Sequence, residues 1–420
     1  MMNIVFTIVA KNYFGAAKLL AKSVKKHNPD CSVYIVLADE TSQNITEESY
    51  FTLITAKETG IKNYDQMAFK YDITEFATAV KPFCIDYFFR VCNPQNVIYL
   101  DPDIYVYENL GQIFELLKHK SAVLTPHILT HGNCPSDIEN GFLQTGSYNL
   151  GFIGVSNCTQ GKELVKWWAE KLEYYAYNAA HKGYYTDQKW MNLAVTEFDQ
   201  IYVLRDYAYN TAWWNFTERE ISSWKGKPYV TQNGVKKPVV FFHFSGYKPG
   251  KADTVSKSPS YLDLENRKSI EAVFRWYARQ LYAAGYKDYA SLPYAYARFS
   301  NGIAVTRLQR RLFGQMLMEG YDCRHPFDTG EESYFSLLKK NKLVVYTRDS
   351  AVAVCSRKDI SGFEQKEKIM KKLLLAVKKM IGIRRYELLS RYLSNAMQED
   401  EQIFLAGRQS DRKTVRQKER

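Results

Sequence analysis

The order strand, helix, strand at the start of the chain restricts its fold more than any other feature. Residues 3–10 are an apolar, β-prone run, 11–15 read as a loop, 16–27 carry small and apolar residues at helical spacing between lysines, and 31–38 are apolar again. Two strands joined by a helix within about 35 residues form a right-handed crossover, and the strands lie parallel in a sheet covered on both faces. The chain is therefore expected to be an α/β protein with a mostly parallel central sheet. Later segments extend the pattern, with helices expected over 78–91, 112–119 and 161–177 and apolar strands over 148–155 and 239–244. The polar stretch 130–146, with its Gly residues and Pro135, reads as a long loop.

Composition shifts after Gly250, where 251–260 is polar and serine-rich, so the main domain is expected to span 1–250. A helical and irregular extension should cover 251–360, with a helix over 261–284 and a short strand pair at 343–346 and 351–355. Residues 361–420 are expected to form a basic amphipathic helix and tail, because Ile369, Leu373, Val377 and Met380 recur at helical spacing against Lys368, Lys371, Lys372, Lys378 and Lys379. Such a helix lies on an anionic membrane surface, docks on a partner, or packs on its own domain. The last ten residues have the composition of a disordered tail.

The formal charge of +12 is concentrated at one end. Residues 366–420 hold 15 Lys and Arg against 7 Asp and Glu, a net of +8, which leaves +4 for the first 365 residues. A nucleic-acid enzyme would carry its basic stripes through the main domain, so no nucleic-acid partner is expected. Seven cysteines at 31, 84, 92, 134, 158, 323 and 355 are odd in number and form no C-x-x-C pair, which disfavours a disulfide scaffold and a zinc site. No apolar run reaches the roughly 18 residues needed to span a bilayer, and 4–10 is too short for a signal peptide. A cytoplasmic chain is expected, peripheral on the inner face of the membrane if its tail binds lipid.

Chemistry concentrates in four segments. The run 97–106 delivers Asp101 and Asp103, two residues apart, at the end of an apolar strand, where open α/β sheets bind ligands. Two carboxylates suit a hard divalent cation that keeps phosphates as co-ligands; the alternative is a turn in which Asp caps a backbone amide. At 241–250 a second apolar strand ends in His243, followed by Lys248 in a loop fixed by Pro249. Imidazole beside carboxylate favours manganese over magnesium, and Lys248 offers a point charge to a leaving phosphate. At 183–192, Thr186 or Asp187 reads as a helix cap, or Asp187 and Gln188 hold sugar hydroxyls. At 146–152, Asn149 is a polar amide in an apolar strand and needs partners.

Taken together and in order, these segments resemble the GT-A-type glycosyltransferases, closest to the family of glycogenin and the bacterial lipopolysaccharide galactosyltransferases. The likeness rests on Ile4 to Thr7 with Asn12 and Tyr13, on Leu100-Asp101-Pro102-Asp103, on Tyr148-Asn149-Leu150-Gly151, on Asp187-Gln188, and on His243 to Pro249. It covers 3–250. Lys81, followed by Pro82, stands where the family often has an arginine, and Gly250 where it usually has a tryptophan. The resemblance implies a Rossmann-like nucleotide-sugar-binding domain followed by a mainly helical extension. It implies that Asp101, Asp103 and His243 bind Mn2+ or Mg2+, that Thr7 and Tyr13 hold a base, usually uridine, and that Lys81, Asn149, Asp187 and Gln188 contact the donor, with Lys248 on the leaving diphosphate. Asp187, Gln188 and Lys248 are then the catalytic candidates. The implied reaction is retaining transfer of a hexose from a nucleotide sugar to a cell-surface glycan or lipid-linked acceptor. Two other readings stay open. One is an aspartyl-phosphate phosphatase, whose nucleophile also sits in a D-x-D after a strand; the other is an inactive nucleotide-sugar or glycan binder.

Overall fold

The structure is a computed structural model and describes residues 2–130, 136–250, 264–349 and 362–407. Its strands are β1 (Asn3–Val9), β2 (Ser32–Leu37), β3 (Thr52–Thr55), β4 (Asn96–Leu100), β5 (Ile104–Val106), β6 (Ala122–Pro126), β7 (Tyr148–Ser156), β8 (Asn178–Ala179), β9 (Tyr184–Tyr185), β10 (Ile201–Val203), β11 (Glu220–Trp224), β12 (Lys227–Gln232), β13 (Val235–Pro238) and β14 (Phe241–His243). The helices of its first half are α1 (Phe14–His27), α2 (Tyr64–Lys70), α3 (Ile73–Ala79), α4 (Lys81–Val91), α5 (Gly111–Leu117), α6 (Ser136–Thr145), α7 (Thr159–Tyr175) and α8 (Met191–Glu197). They are followed by α9 (Leu264–Ala283), α10 (Tyr286–Ala290), α11 (Arg307–Met318), α12 (Tyr334–Lys340) and α13 (Phe363–Ala396).

Seven strands form the central sheet in the order β10-β6-β7-β4-β1-β2-β3. The pairs β1/β2, β1/β4, β2/β3 and β10/β6 are parallel, while β7 runs antiparallel between β4 and β6. β1 sits inside this sheet and is buried from Ile4 to Val9, as a strand covered on both faces must be. α1 turns Phe14, Ala17, Leu20, Ala21 and Val24 inward and leaves Lys22 and Lys26 in solvent, so the expected crossover unit is present. At its far end, Ser23 Oγ accepts the amide of Val106 at 3.1 Å, tying α1 to β5.

Three smaller sheets complete this part, one of them the short antiparallel pair of β8 and β9. β5 pairs antiparallel with β14, with His243 opposite Ile104. β11, β12 and β13 form a meander whose turns place Lys225 (φ 49°) with Gly226 (φ 81°) and Asn233 (φ 53°) with Gly234 (φ 75°) in the left-handed region, the geometry that tight hairpins need.

The chain divides into two compact units, 1–62 with 73–294, and 63–72 with 295–420. α9 and α10 thus pack within the first unit, although the sequence reading set 251–360 apart from 1–250. In the second unit the guanidinium of Arg310 is buried and donates to the carbonyls of Phe69 (2.6 Å), Tyr71 (2.9 Å) and Tyr296 (2.6 Å), which binds 63–72 to α11. α11 itself starts in a capping box, Thr306 Oγ1 accepting from Gln309 N and Gln309 Oε1 from Thr306 N.

Several expectations need correction. Residues 136–145 form helix α6 and not loop, the segment 78–91 is two helices broken at Val80, and 343–346 forms no strand. Residues 131–135, 251–263, 351–355 and the last ten lie outside the described residues. The described cysteines are free thiols, with Cys31 and Cys84 buried. No described helix is long and apolar enough to cross a membrane.

Candidate active site

Three strand ends converge on one point. Asp101 follows β4, Asp103 precedes β5, and His243 ends β14. A turn closed by Ile104 N donating to Asp101 O at 3.0 Å reverses the chain between the two aspartates. The β5/β14 pairing brings the histidine alongside, and Phe244 N donates to Asp103 O at 2.9 Å. His243 Nε2 lies 3.1 Å from Asp103 Oδ1 and 3.6 Å from Asp101 Oδ2, and one donor atom from each of the three residues falls within 4.8 Å of the others. The imidazole is 3% exposed and the carboxylates 30% and 20%, so the cluster is walled on the histidine side and open on the aspartate side.

The neighbours of His243 fix its orientation. Asn210 spends its amide protons on Thr125 Oγ1 (2.8 Å) and Asn149 Oδ1 (3.0 Å), so its own Oδ1 accepts the Nδ1 proton of His243 at 3.3 Å. That bond fixes the ring with Nε2 facing the carboxylates, the nitrogen that a metal would take in exchange for its proton. Trp214 meets the ring edge-on at 5.1 Å. Gly151 gives the ring its room: a Cβ there would stand 2.4 Å from His243 Cε1, 2.7 Å from Nδ1 and 2.8 Å from Asn149 Oδ1. The glycine of the 148–151 segment is therefore a steric requirement of the histidine.

Electrostatics point the same way. Burial raises the Asp101 pKa against the opposing pull of Lys81 and His243. For His243 burial alone would lower the pKa, but the facing Asp103 and Asp101 carboxylates outweigh it and the pKa is raised. The two carboxylates thus stabilise positive charge at the point where the donor atoms converge. Two oxygen donors and one imidazole, with the remaining side open, fit Mn2+ or Mg2+ by donor set.

The remaining expected residues fall into three groups. Lys81 and Asp187, 106 positions apart, form a buried ion pair of 2.5 Å, 1% and 3% exposed. Lys81 Nζ also donates to Leu150 O at 2.7 Å and lies 3.9 Å from the centre of the Tyr99 ring, whose hydroxyl donates to Asp101 Oδ1 at 2.6 Å. Asp187 occupies an N-cap position without a side-chain capping bond, so the cap reading fails and the lysine takes its place as partner. Gln188 joins through Leu150 N at 3.5 Å, and its Nε2 donates to Thr145 O at 2.8 Å.

Asn149 finds its partners within the protein. Its Oδ1 accepts from Asn210 and from Gly151 N, and its Nδ2 faces His127 Nε2 at 3.5 Å. Tyr13 ends the 3-10 turn before α1; burial raises its pKa, with the charges of Asp103 and Asp101 adding to the effect. Thr7 is buried within β1, and its hydroxyl has no hydrogen-bond partner among the described residues. Lys248 is exposed on the loop beyond β14.

Sequence reasoning missed Asn210, His127, Trp214 and Phe142. His127 stacks on Phe142 at 4.9 Å and stays neutral because burial lowers its pKa to about 4. Asn210 has a positive φ of 52° and is fully buried, a conformation whose only sequence trace is that asparagine tolerates it.

Comparison with known proteins gives distant likenesses. No family model matches the chain. Two uncharacterized proteins of Bacillus subtilis (strain 168) are similar in sequence: YfnF, 24% identical over 249 residues that cover 58% of this chain and 80% of YfnF, and YfnD, 22% identical over 249 residues that cover 57% and 76%. Among solved structures, the galactosyltransferase LgtC in complex with donor and acceptor sugar analogs is 16% identical with a TM-score of 0.42, covering 70% of this chain and 98% of that one. The apo form of glycosyltransferase GlyE of Streptococcus pneumoniae TIGR4 is 16% identical with a TM-score of 0.39, covering 67% and 64%.

Proposed function

We propose that this chain is a metal-dependent glycosyltransferase that moves a hexose from a nucleoside-diphosphate sugar, a UDP-sugar on the resemblance of its motifs, to a glycan or lipid-linked acceptor with retention of anomeric configuration. The observation that carries the reading is the convergence of Asp101, Asp103 and His243 beside the buried Lys81–Asp187 pair. Manganese or magnesium held there would neutralise the diphosphate of the donor and act as a Lewis acid on the departing group.

The protein's own residues do the rest of the work in this reading. Asp101 and Asp103 offer oxygen ligands, and His243 offers Nε2, its far side held by Asn210. Lys81 fixes Asp187 in place, so that Asp187 and Gln188 orient sugar hydroxyls, with Asn149 as the third polar group. Thr7 and Tyr13 hold the base, and Lys248 reaches the leaving phosphate from its exposed loop. The proposed catalytic residues all lie within 1–250, in the first compact unit, and helix α13 docks on an anionic membrane. In support of docking, α13 buries none of its residues, exposes Leu373 (56%) and Met380 (77%) beside lysines, and is broken at Gly382.

Donor hydrolysis with and without EDTA, in the wild type and in Asp103→Ala, tests the central step. Turnover at the wild-type rate without metal or without Asp103 overturns the assignment. Truncation after Ser361 should abolish sedimentation with anionic vesicles, and unchanged sedimentation rejects membrane docking.

A further inference from the structure

A second cleft of about 370 Å3 opens in the first unit, between α1 and α9. One wall is a lysine ladder. Lys18, Lys22 and Lys26 follow each other at four-residue spacing on one face of α1, each about 6 Å further along the axis. Lys18 is committed to Glu48 at 2.5 Å, and the Tyr50 hydroxyl engages the same carboxylate. Lys22 and Lys26 are exposed and make no ion pair among the described residues. With Lys18, Lys22 and Lys26 facing one carboxylate, Glu48, the lining of the cleft carries a surplus of positive charge.

The other wall is a fixed aromatic surface. The indole of Trp276 on α9 meets the ring of Tyr105 edge-on at 4.8 Å and that of Tyr107 at 5.6 Å. Behind it stands the Lys225–Gly226 turn, so close that a Cβ on Gly226 would lie 2.4 Å from the indole. The ring cannot rotate away, and it lines the cleft half-exposed. A rigid aromatic plane beside free ammonium groups recognises a ligand that combines a flat apolar face with repeated negative charge.

We infer that this cleft binds an acidic glycan segment, its sugar ring against Trp276 and its carboxylate or phosphate groups on Lys22 and Lys26. The inference rests on the transferase reading only in naming that segment as part of the acceptor distant from its reacting end. Nucleic acid offers rings and phosphates too, but the first 365 residues carry a net of only +4, too little for a backbone-tracking surface.

Calorimetric titration of the full chain with hexagalacturonate, a phosphorylated maltohexaose, neutral maltohexaose and a thymidine hexanucleotide tests this. One or both acidic oligosaccharides should bind, in a salt-sensitive manner, and which of them does identifies the charged group. Lys22→Glu combined with Lys26→Glu should weaken that binding at least tenfold while donor hydrolysis in the presence of Mn2+ stays at the wild-type level. Equal binding of neutral maltohexaose, tighter binding of the nucleotide, or unchanged affinity in the double variant overturns the inference. The titrations need no donor turnover, so absent acidic-glycan binding overturns the cleft alone, whereas absent donor turnover overturns the transferase reading and leaves a positive titration standing.

Discussion

Gly151→Ala is the most exacting substitution in this site, because a single methyl group tests the histidine's placement. The added Cβ would meet His243 Cε1 at 2.4 Å and Nδ1 at 2.7 Å, well inside contact distance. The ring has nowhere to retreat: it is 3% exposed, Trp214 abuts it at 5.1 Å, and its backbone is fixed by His243 N donating to Thr211 O at 2.8 Å. Overpacking of this kind costs about 1–3 kcal/mol. Relief comes from tilting Nε2 away from the carboxylates or from breaking the Asn210 bond, and loss of a ligand-orienting contact lowers metal affinity by about 10–100-fold. Calorimetric titration with Mn2+ reads the affinity, and the urea midpoint reads the stability. A Gly151→Ala chain that binds Mn2+ as the wild type does, with an unchanged midpoint, refutes the steric argument.

Further outcomes follow from the same contacts. Lys81→Ala should destabilise the first unit by about 3–5 kcal/mol in urea unfolding, because Asp187 is left buried and unpaired, while Lys81→Met with Asp187→Leu should recover most of that loss; equal loss in the single and double variants would contradict this. Asn210→Ala should weaken Mn2+ binding by about 10–100-fold through His243, and wild-type affinity would show that the bond at 3.3 Å does not orient the ring. His127 gives a pH signature. Its pKa is lowered to about 4, so between there and its ordinary value of 6.5 the unfolded chain takes up a proton that the folded chain refuses. Stability should therefore fall by up to about 3 kcal/mol as pH drops through that window, and His127→Gln should remove this part of the slope; identical pH profiles would refute it.

The parts of the fold that were legible in the sequence are those written in local pattern. The crossover over 3–38 was readable because both strands are apolar throughout and α1 has one clean apolar face. Asp101 and Asp103 were readable because they are neighbours in the chain, and His243 because it ends an apolar run. What joins them is not local. The β5/β14 pairing spans more than a hundred residues and involves three residues from each strand, too few for a periodic signal. The Lys81–Asp187 pair is equally remote in sequence, which is why Asp187 read as a helix cap.

α6 shows the same limit. Gly141 and its polar residues read as loop, yet its C-terminal carbonyls are satisfied from outside: Lys189 Nζ donates to Gln144 O at 2.9 Å and Gln188 Nε2 to Thr145 O at 2.8 Å. Tertiary bonds supply what local propensity lacks. Asn210 and His127 stand alone in segments without periodicity, and only the folded contacts reveal that they support Asn149 and His243.

The central claim is that Asp101, Asp103 and His243 together hold a divalent cation. Pulsed electron paramagnetic resonance of the full chain loaded with Mn2+ tests it directly, since a directly bound imidazole nitrogen couples to the electron spin. The account predicts one tightly bound ion with a nitrogen coupling that disappears in His243→Ala, and an ion that is lost in Asp103→Ala. A bound Mn2+ without that coupling, or one retained equally in both variants, would contradict it.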